Sequence, residues 1–305
     1  MKTIVSVIIV SYNTRVHTVK AVKSVLSSVG LAKSAIEIII VDNNSTDDTV
    51  AHLKKNFPGL NVISNHENKG FGAGNNQGLS VASGKYILLL NSDAFLTPSS
   101  LKTMIDIMDG DENILSVGPQ LLSSDGSLQQ SAGYLPSIAR VMAWMWWLDK
   151  IPLIKKLFSD SYHIYDFEWY KNNQKPEWLM GACALFRKQE LMQVGGFDEQ
   201  IFMYTEEVEL YLRLKKTYSK QIYFTSQAQV EHLGSVSTKK AKAYRLAYEL
   251  KGIEYIYKKH YPHLLWLIKG IISVGVLLRL SIFSMMPSRR DTLVEYKKYF
   301  ESTAK

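Results

Sequence analysis

The chain has 305 residues, 46% of them apolar and 21% charged, and its formal net charge is +8. This composition is that of an ordinary globular protein and excludes an intrinsically disordered chain. The single cysteine, Cys183, excludes an internal disulfide framework and favours a reducing, cytoplasmic compartment, and its apolar neighbours predict that it is buried.

Three apolar runs in the first third of the chain each end in polar side chains. The runs 5–10, 36–41 and 86–90 lead into Ser11-Tyr12-Asn13, Asp42-Asn43-Asn44-Ser45 and Asn91-Ser92-Asp93. Near-continuous Val, Ile and Leu is typical of strands in a parallel sheet that helices cover on both faces. Because ligands bind beyond the carboxyl ends of such strands, the polar ends predict one ligand site. Their chemistry suits a nucleotide with a metal-bound diphosphate.

The segments around these strands alternate between helical and strand patterns. In chain order we expect helices at 16–28, 46–57, 98–108 and 205–218, and strands at 60–64 and 114–117, with regular structure returning at 180–187 after an irregular stretch. Ser45 is the expected N-cap of the second helix. The glycine-rich stretch 70–78 is expected to be a loop; it has no G-x-G-x-x-G frame, which excludes a dinucleotide-binding turn. The series predicts an α/β fold with a mostly parallel central sheet flanked by helices.

Residues 120–178 interrupt this alternation and are expected to form an insertion on the acceptor side or facing a membrane. The run 143–148 contains three tryptophans, and Lys155 and Lys156 follow it. Tryptophans beside lysines are typical of a membrane interface or an acceptor site. Burial of the tryptophans against the sheet is an alternative that the sequence leaves open.

The positive charge is concentrated at the end of the chain. Residues 239–305 contain 14 Lys and Arg against 5 Asp and Glu, whereas the remaining residues contain 22 against 23. The same segment includes the apolar stretch 264–286, which Lys269 and Arg279 interrupt. Nine residues between two charges are too few to span a bilayer, so we expect a helix lying at the membrane surface. A helix packed on the protein's own core is the alternative, and nucleic acid is disfavoured because the basic residues accompany long aliphatic runs.

Five motifs occur in a characteristic order along the first three quarters of the chain. They are the segments 41–47, 68–78, 91–93, 195–199 (Gly-Gly-Phe-Asp-Glu) and 202–210 (Phe-Met-Tyr-Thr-Glu-Glu-Val-Glu-Leu). The ordered set resembles the glycosyltransferase family 2 enzymes of GT-A fold, and most of all their bacterial rhamnosyltransferase-type branch. The resemblance covers about residues 4–237. We therefore expect a GT-A domain at 1–237 and a basic helical tail at 238–305.

The resemblance implies the inverting transfer of a sugar from a nucleotide diphosphate donor to an acceptor hydroxyl. The most specific expectation is rhamnose from dTDP-rhamnose, transferred to a lipid-linked or cell-surface polysaccharide intermediate by a peripheral protein on the inner face of the cell membrane. Asp42 can accept a hydrogen bond from the imide N–H of uracil or thymine, although an Asx turn or a helix cap at Asp42 is an open alternative. The expected donor-binding residues are Tyr12, Asn13, Asp42, Asn44, Asn68, Gly70, Asn75, Asn91 and Asp93.

Asn91-Ser92-Asp93 stands where the family has Asp-x-Asp. A divalent cation, Mg²⁺ or Mn²⁺, would neutralise the departing nucleotide diphosphate, and such hard cations take oxygen ligands. Asp93 is the expected ligand, and Asn91, which lacks the first carboxylate, is expected at the ribose. His232 matches a family histidine that completes the metal site.

Glu206-Glu207 stands where the family commonly has Glu-Asp. Glu207 therefore takes the place of the catalytic aspartate, the base that removes the proton of the acceptor hydroxyl. Glu209 is expected instead to pair with Arg213 one helical turn later.

Two other functions compete with sugar transfer. A sugar-nucleotide pyrophosphorylase would need a basic, glycine-rich loop after the first strand, and residues 11–14 are not one. A non-catalytic membrane scaffold that retains the fold is favoured by the altered Asn91 and Glu207, and opposed by the carboxylates kept at Asp93 and Glu207.

Overall fold

The computed structural model describes residues 3–151, 161–234, 239–286 and 290–303, so Lys155 and Lys156 lie outside the described residues. These residues form two compact units. The first consists of 3–132, 165–202 and 206–234, and the second of 133–151, 161–164, 203–205 and the described residues from 239 onward.

An eight-stranded sheet forms the centre of the first unit, in the order β3-β2-β1-β4-β9-β6-β10-β5. Six strands run in one direction, while β9 and β5 run against them, which confirms the expected mostly parallel sheet. Two further short strands, β7 and β8, lie outside this sheet. The strands are β1 (Val5–Ser11), β2 (Ile36–Asp42), β3 (Asn61–Ser64), β4 (Tyr86–Leu90), β5 (Ala94–Leu96), β6 (Ile114–Leu122), β7 (Ala132–Gly133), β8 (Trp178–Leu179), β9 (Cys183–Arg187) and β10 (Gln221–His232).

Ten α-helices lie within the described residues. Those of the first unit are α1 (Arg15–Leu26), α2 (Thr49–Asn56), α3 (Gly70–Val81), α4 (Ser100–Gly110), α6 (Lys188–Gln193) and α7 (Glu206–Thr217). Those of the second are α5 (Ile138–Trp146), α8 (Lys239–His260), α9 (Leu265–Ser284) and α10 (Arg290–Thr303).

The start of α2 differs from the sequence expectation. The helix begins at Thr49, because Asp48 just before it has a left-handed backbone, with φ of 60°. Ser45 does not cap the helix; its hydroxyl donates to the Asp42 carboxylate at 2.6 Å instead. The polar segment between β2 and α2 is therefore a turn held by side chains.

The glycine-rich stretch 70–78 is a helix, α3, and the expected loop was wrong. Glycine in a helix interior costs about 1 kcal/mol relative to alanine, but here the small residues let α3 lie directly on β1. A Cβ at Gly74 would lie 2.9 Å from a methyl group of Val10, and one at Gly78 would lie 2.5 Å from a methyl group of Ile8. Close packing of helix on sheet thus offsets the poor helix propensity.

The order and register of β2, β1 and β4 bring the three polar strand ends together. β1 pairs in parallel with both β2 and β4, and Ser11 lies opposite Asp42. The Asn43 N–H donates to the Ser11 carbonyl at 2.8 Å, which continues the ladder one step past the strands. The predicted gathering of these ends at one sheet edge is confirmed. Cys183, at the start of β9, is buried as expected, and burial raises the pKa of its thiol.

A buried ion pair fastens α7 to the turn that precedes it. The Glu209 side chain is fully buried and accepts from the Arg213 guanidinium at 2.7 to 3.0 Å, as the sequence predicted. The same guanidinium donates to the carbonyls of Val194 and Gly196. Gly195 and Gly196 both have left-handed backbones, with φ of 84° and 67°, so this turn depends on glycine.

We expect Glu209→Gln to lower the free energy of unfolding by about 3 kcal/mol, because it leaves the Arg213 charge buried without its counter-charge. Urea denaturation provides the measurement. Asp106→Asn is the matched control, since Asp106 pairs with Lys102 at the same spacing on an exposed helix face and should change stability by less than about 1 kcal/mol. Equal losses in the two variants would contradict the importance of the buried pair.

Candidate active site

The loops after β1 and β2 are joined through Asn13. The Asn13 N–H donates to Ser45 Oγ at 2.8 Å, and Asn13 Oδ1 accepts from the Thr46 N–H at 2.7 Å. Asn13 and Asn44 have φ of 53° and 67°, a left-handed conformation that asparagine tolerates better than most residues. Tyr12, beside Asn13, is half-buried. The two loops therefore form one connected rim at the carboxyl edge of the sheet.

Asp42 makes the turn that the sequence left open as an alternative. Its Oδ1 accepts from the Ser45 N–H at 2.8 Å, and its Oδ2 accepts from Ser45 Oγ at 2.6 Å. Each carboxylate oxygen can accept more than one hydrogen bond, so the turn leaves acceptor capacity for a nucleobase. That contact with a base stays a prediction.

Asn68 and Gly70 shape the entry to α3. Asn68 Oδ1 accepts from the Gly70 N–H at 3.0 Å, and Gly70 has φ of 86°. A Cβ at Gly70 would lie 2.5 Å from the Phe202 carbonyl oxygen, so no other residue fits without a shift. Asn75 lies one turn later; its amide donates to the Phe71 carbonyl, and its Oδ1 is buried with no hydrogen-bond partner among the described residues.

Several amide side chains that sequence reasoning missed connect α3 to its neighbours. Asn43 Nδ2 donates to the Gly70 carbonyl, Asn43 Oδ1 accepts from Asn65, and Asn65 exchanges two hydrogen bonds with Gln77. The Asn76 side-chain amide donates to the Phe197 carbonyl, and Asn76 Oδ1 accepts from the Phe197 N–H. Isolated amides carry no sequence signal for such partners, because the contacts form only after the chain has folded.

Asp93 and His232 lie side by side in a buried pocket of the same edge. β10 pairs antiparallel with β5, and this register puts His232 opposite Ala94, next to Asp93. Asp93 Oδ1 is 3.5 Å from His232 Nε2, and both side chains are buried. The Asp93 carbonyl accepts from the Leu233 N–H at 3.0 Å, so backbone pairing continues past the strand. Asn91 is half-buried, and its N–H donates to the Ala182 carbonyl.

Gln129, a residue without a sequence signal, orients the His232 ring. Its amide nitrogen donates to the His232 carbonyl and to Ser123 Oγ, so its Oε1 must face His232 Nδ1, 2.8 Å away. Nδ1 is therefore the donor to Gln129, and Nε2 is the ring nitrogen that faces Asp93. This arrangement is typical of metal-binding histidines. No cluster of three or more His, Cys, Asp or Glu occurs in the described ranges, so a cation here would need donor and water oxygens as well.

Glu206 and Glu207 begin α7 and differ in environment. Glu206 is buried, and its Oε2 has no hydrogen-bond partner in the described part of the chain, whereas Glu207 is half-buried as a residue, although its Oε2 is buried as well. Burial first, and then the charge of Glu207, raise the pKa of Glu206 well above its usual value. The raised pKa favours the protonated form of Glu206, which adds no negative charge beside Glu207.

The tryptophans of α5 and the residues that follow it pack within the second unit. Trp144 is buried, Trp146 Nε1 donates to the Ile271 carbonyl at 3.0 Å, and the Trp147 ring contacts the Phe283 ring. The tryptophans are therefore packed inside the protein, as the alternative interpretation expected. Their partners, however, are helices of the tail and not the sheet.

α9 has one buried and one exposed face within the same unit. Ile268, Ile272, Val276 and Arg279 are among the buried residues, whereas an exposed apolar face comprises Trp266, Val274, Leu277, Leu278, Ile282 and Met285. By length and composition the segment Pro262–Ser284 could cross a membrane, and a third of its most apolar window is buried in the protein.

Comparisons with known proteins identify the family to which the chain is similar. The sequence profile of "Glycosyl transferase family 2" matches residues 6–190. An N-acetylglucosaminyl-diphospho-decaprenol L-rhamnosyltransferase of Mycobacterium tuberculosis is 27% identical over 265 residues, 81% of each chain. The rhamnosyltransferase WbbL of Escherichia coli K12 is 26% identical over 188 residues, which is 58% of this chain and 65% of WbbL.

Solved structures show the same fold at low identity. S. aureus TarS 1–349 has a TM-score of 0.53 and 16% identity, over 94% of this chain and 75% of TarS 1–349. GalNAc-T7 with UDP, GalNAc and Mn²⁺ has a TM-score of 0.56 and 14% identity, over 84% of this chain and 50% of GalNAc-T7. The chain therefore belongs to glycosyltransferase family 2 and has the GT-A-type fold expected from its sequence.

Proposed function

We propose that this protein transfers a sugar, with inversion, from a nucleotide diphosphate donor to a hydroxyl of a lipid-linked saccharide. Rhamnose from dTDP-rhamnose is the best specific donor, because the relative that matches 81% of the chain is named for rhamnosyl transfer to a lipid diphosphate. The observation that carries the proposal is the unequal pair of carboxyls at the start of α7. One is buried with a raised pKa, and the other is half-buried.

The unequal pair suits a one-step displacement. Glu207 takes the proton of the acceptor hydroxyl while the acceptor oxygen bonds to the anomeric carbon of the sugar. The bond from that carbon to the diphosphate oxygen breaks, and the nucleoside diphosphate leaves with the electron pair. Attack opposite the leaving group inverts the anomeric configuration. Protonated Glu206 adds no second negative charge beside the base.

The donor side of the proposal rests on the sheet edge. Asp42 and Tyr12 would contact the base, Asn91 the ribose, and the rim built by Asn13 and Asn44 the remainder of the nucleotide. Asp93 and His232 Nε2 would hold Mg²⁺ or Mn²⁺ on the diphosphate. When bound, the cation would supply charge neutralisation for the departing group.

A panel of nucleotide sugars tests donor identity and the base together. We expect dTDP-rhamnose to raise the melting temperature, since a ligand that binds only the folded state stabilises it. We also expect it to support transfer to an N-acetylglucosaminyl-diphospho-lipid. Glu207→Gln should lower turnover by about 10²–10⁴ and keep the thermal shift. The measurements are thermal denaturation and product formation.

Glu112→Gln, at an exposed turn, is the control for loss of a carboxylate and should transfer sugar normally. Normal turnover of Glu207→Gln would remove Glu207 from the mechanism. Donor protection without transfer in the unaltered protein, with every acceptor offered, would favour the non-catalytic scaffold. If a different nucleotide sugar raised the melting temperature, the assigned donor would change and the proposed class of reaction would stand.

Removal of the cation tests Asp93 and His232. EDTA should suppress transfer and reduce protection by the donor, and Mn²⁺ or Mg²⁺ should restore both, because the diphosphate charge is then neutralised. Asp93→Ala should lose the response to added cation, whereas Asp106→Ala, on an exposed face of α4, should keep it. Full activity in EDTA, together with an equally active Asp93→Ala protein, would show that Asn91-Ser92-Asp93 is only a turn.

Association with the inner membrane face is proposed through α9. Between Gly270 and Met286 the only charged residue is Arg279, and its side chain is buried. The guanidinium donates to the carbonyls of Trp144 and Met145 and to the Tyr296 hydroxyl, and it lies 4.6 Å from the centre of the Trp147 ring. The exposed face is therefore free of charge over this stretch, and the exposed Lys258, Lys259 and Lys269 precede it. Such a surface suits an anionic bilayer.

Single substitutions test this contact without disturbing the buried face of α9. Leu277→Glu, 55% exposed in the unaltered protein, should weaken binding to anionic vesicles by about tenfold or more, because it removes an apolar side chain from the contact and adds a repelled charge. Vesicle co-sedimentation at low salt is the measurement. Met192→Glu, at a site 51% exposed in the first unit, is the matched control. Equal binding by the two variants would contradict membrane contact through α9.

A further inference from the structure

The two residues before the Glu206–Glu207 pair have an unusual backbone. Tyr204 and Thr205 are consecutive non-glycine residues with φ of 63° and 66°. This left-handed region is unfavourable for side chains generally and most of all for a β-branched residue such as threonine. The Thr205 hydroxyl donates to the carbonyl of Tyr204, so it does not cap α7. Such a conformation persists only where surrounding contacts enforce it.

The enforcing contacts come from α8. Residues 203–205 belong to the second compact unit, together with α8, whereas Glu206 begins the next part of the first unit. Thr205 is buried, and it occupies a notch that Gly252 leaves in α8. A Cβ at Gly252 would lie 1.6 Å from Thr205 Oγ1 and 2.8 Å from Thr205 Cβ. One turn earlier on the helix, the Tyr248 ring stacks with the Tyr204 ring, with centroids 6.5 Å apart.

Gly252 lies in the interior of a 22-residue helix, where glycine is disfavoured relative to alanine. The three atoms nearest to its missing Cβ all belong to Thr205. The notch is therefore filled by a side chain that is joined by a single peptide bond to the carboxyl pair.

We propose that Gly252 and Thr205 are positioning residues, and that α8 fixes the left-handed turn at 204–205 and thereby the place of the Glu207 carboxylate. This inference rests on the proposed function, because it assigns Glu207 the role of base. Neither Gly252 nor Thr205 is a catalytic residue. They hold the chain from which the base projects.

Filling the notch tests the proposal. Gly252→Ala must displace Thr205 by about 1 Å or more, and a misplacement of this size costs about 10² in turnover. We expect kcat to fall to that extent, with the donor KM and the donor-induced thermal shift unchanged. Gly270→Ala is the matched control, because no atom lies within 4 Å of a Cβ there, and it should leave kcat unchanged.

Substitutions at the other partner show whether the effect passes through Thr205. Thr205→Ser keeps the hydroxyl and should retain near-normal kcat, whereas Thr205→Gly empties the notch and frees the turn, so kcat should fall. The double variant Thr205→Gly, Gly252→Ala should match Thr205→Gly alone, because residues in direct contact are not additive. If the loss of kcat in the double variant were the product of the losses in the two single variants, the proposal would be overturned. An unchanged kcat in Gly252→Ala would also overturn it.

Hydrogen exchange gives a readout that does not depend on activity. In Gly252→Ala the amides of residues 206–209 should exchange faster than in Gly270→Ala, because the turn that leads into α7 is no longer held. If the unaltered protein transfers no sugar, the proposed function fails, and exchange still decides whether the notch holds the turn. If Glu207→Gln loses turnover while Gly252→Ala keeps both turnover and slow exchange, the function stands and the positioning role is wrong.

Discussion

Hydrogen bonding between β10 and the short strand β5 brings together the two residues that are proposed to hold a cation. The register puts His232 opposite Ala94 and so beside Asp93, and Gln129 then accepts a hydrogen bond from His232 Nδ1. A shift of one residue would turn every side chain of β10 to the other face of the sheet. Because buried backbone groups must be paired, the ladder holds this register firmly. The two side chains come within 3.5 Å of each other in this register.

The three glutamates at the start of α7 differ in their burial and in their partners. Glu209 is fully buried and neutralised by Arg213, which also braces the Gly195–Gly196 turn. Glu206 is buried without such a partner, and its pKa is raised as a result. Glu207 is half-buried and is the carboxylate proposed to accept a proton. All three residues are glutamates, so it is their burial and their partners that distinguish a structural glutamate from a candidate base.

Packing within the second unit buries a charged residue that the sequence alone suggests is exposed. Arg279 interrupts an apolar stretch in the sequence, yet in the fold it is buried among carbonyls and aromatic rings of the same unit. One face of α9 packs internally, as the alternative of a core helix expected, and the other is apolar and exposed. Contact of the exposed face with a membrane stays a prediction.

The apolar strand runs, their polar ends and the ordered motifs were enough to predict the sheet, the shared edge and the family, because strand periodicity and short motifs are local properties. The same sequence misassigned 70–78 as a loop, since its glycines are disfavoured in an isolated helix and are accommodated only against Ile8 and Val10. Likewise, nothing local identifies Gln129 as the partner of His232, or Gly252 as the notch for Thr205. These pairs are far apart in the chain, and their chemistry depends on distances that only the folded backbone establishes.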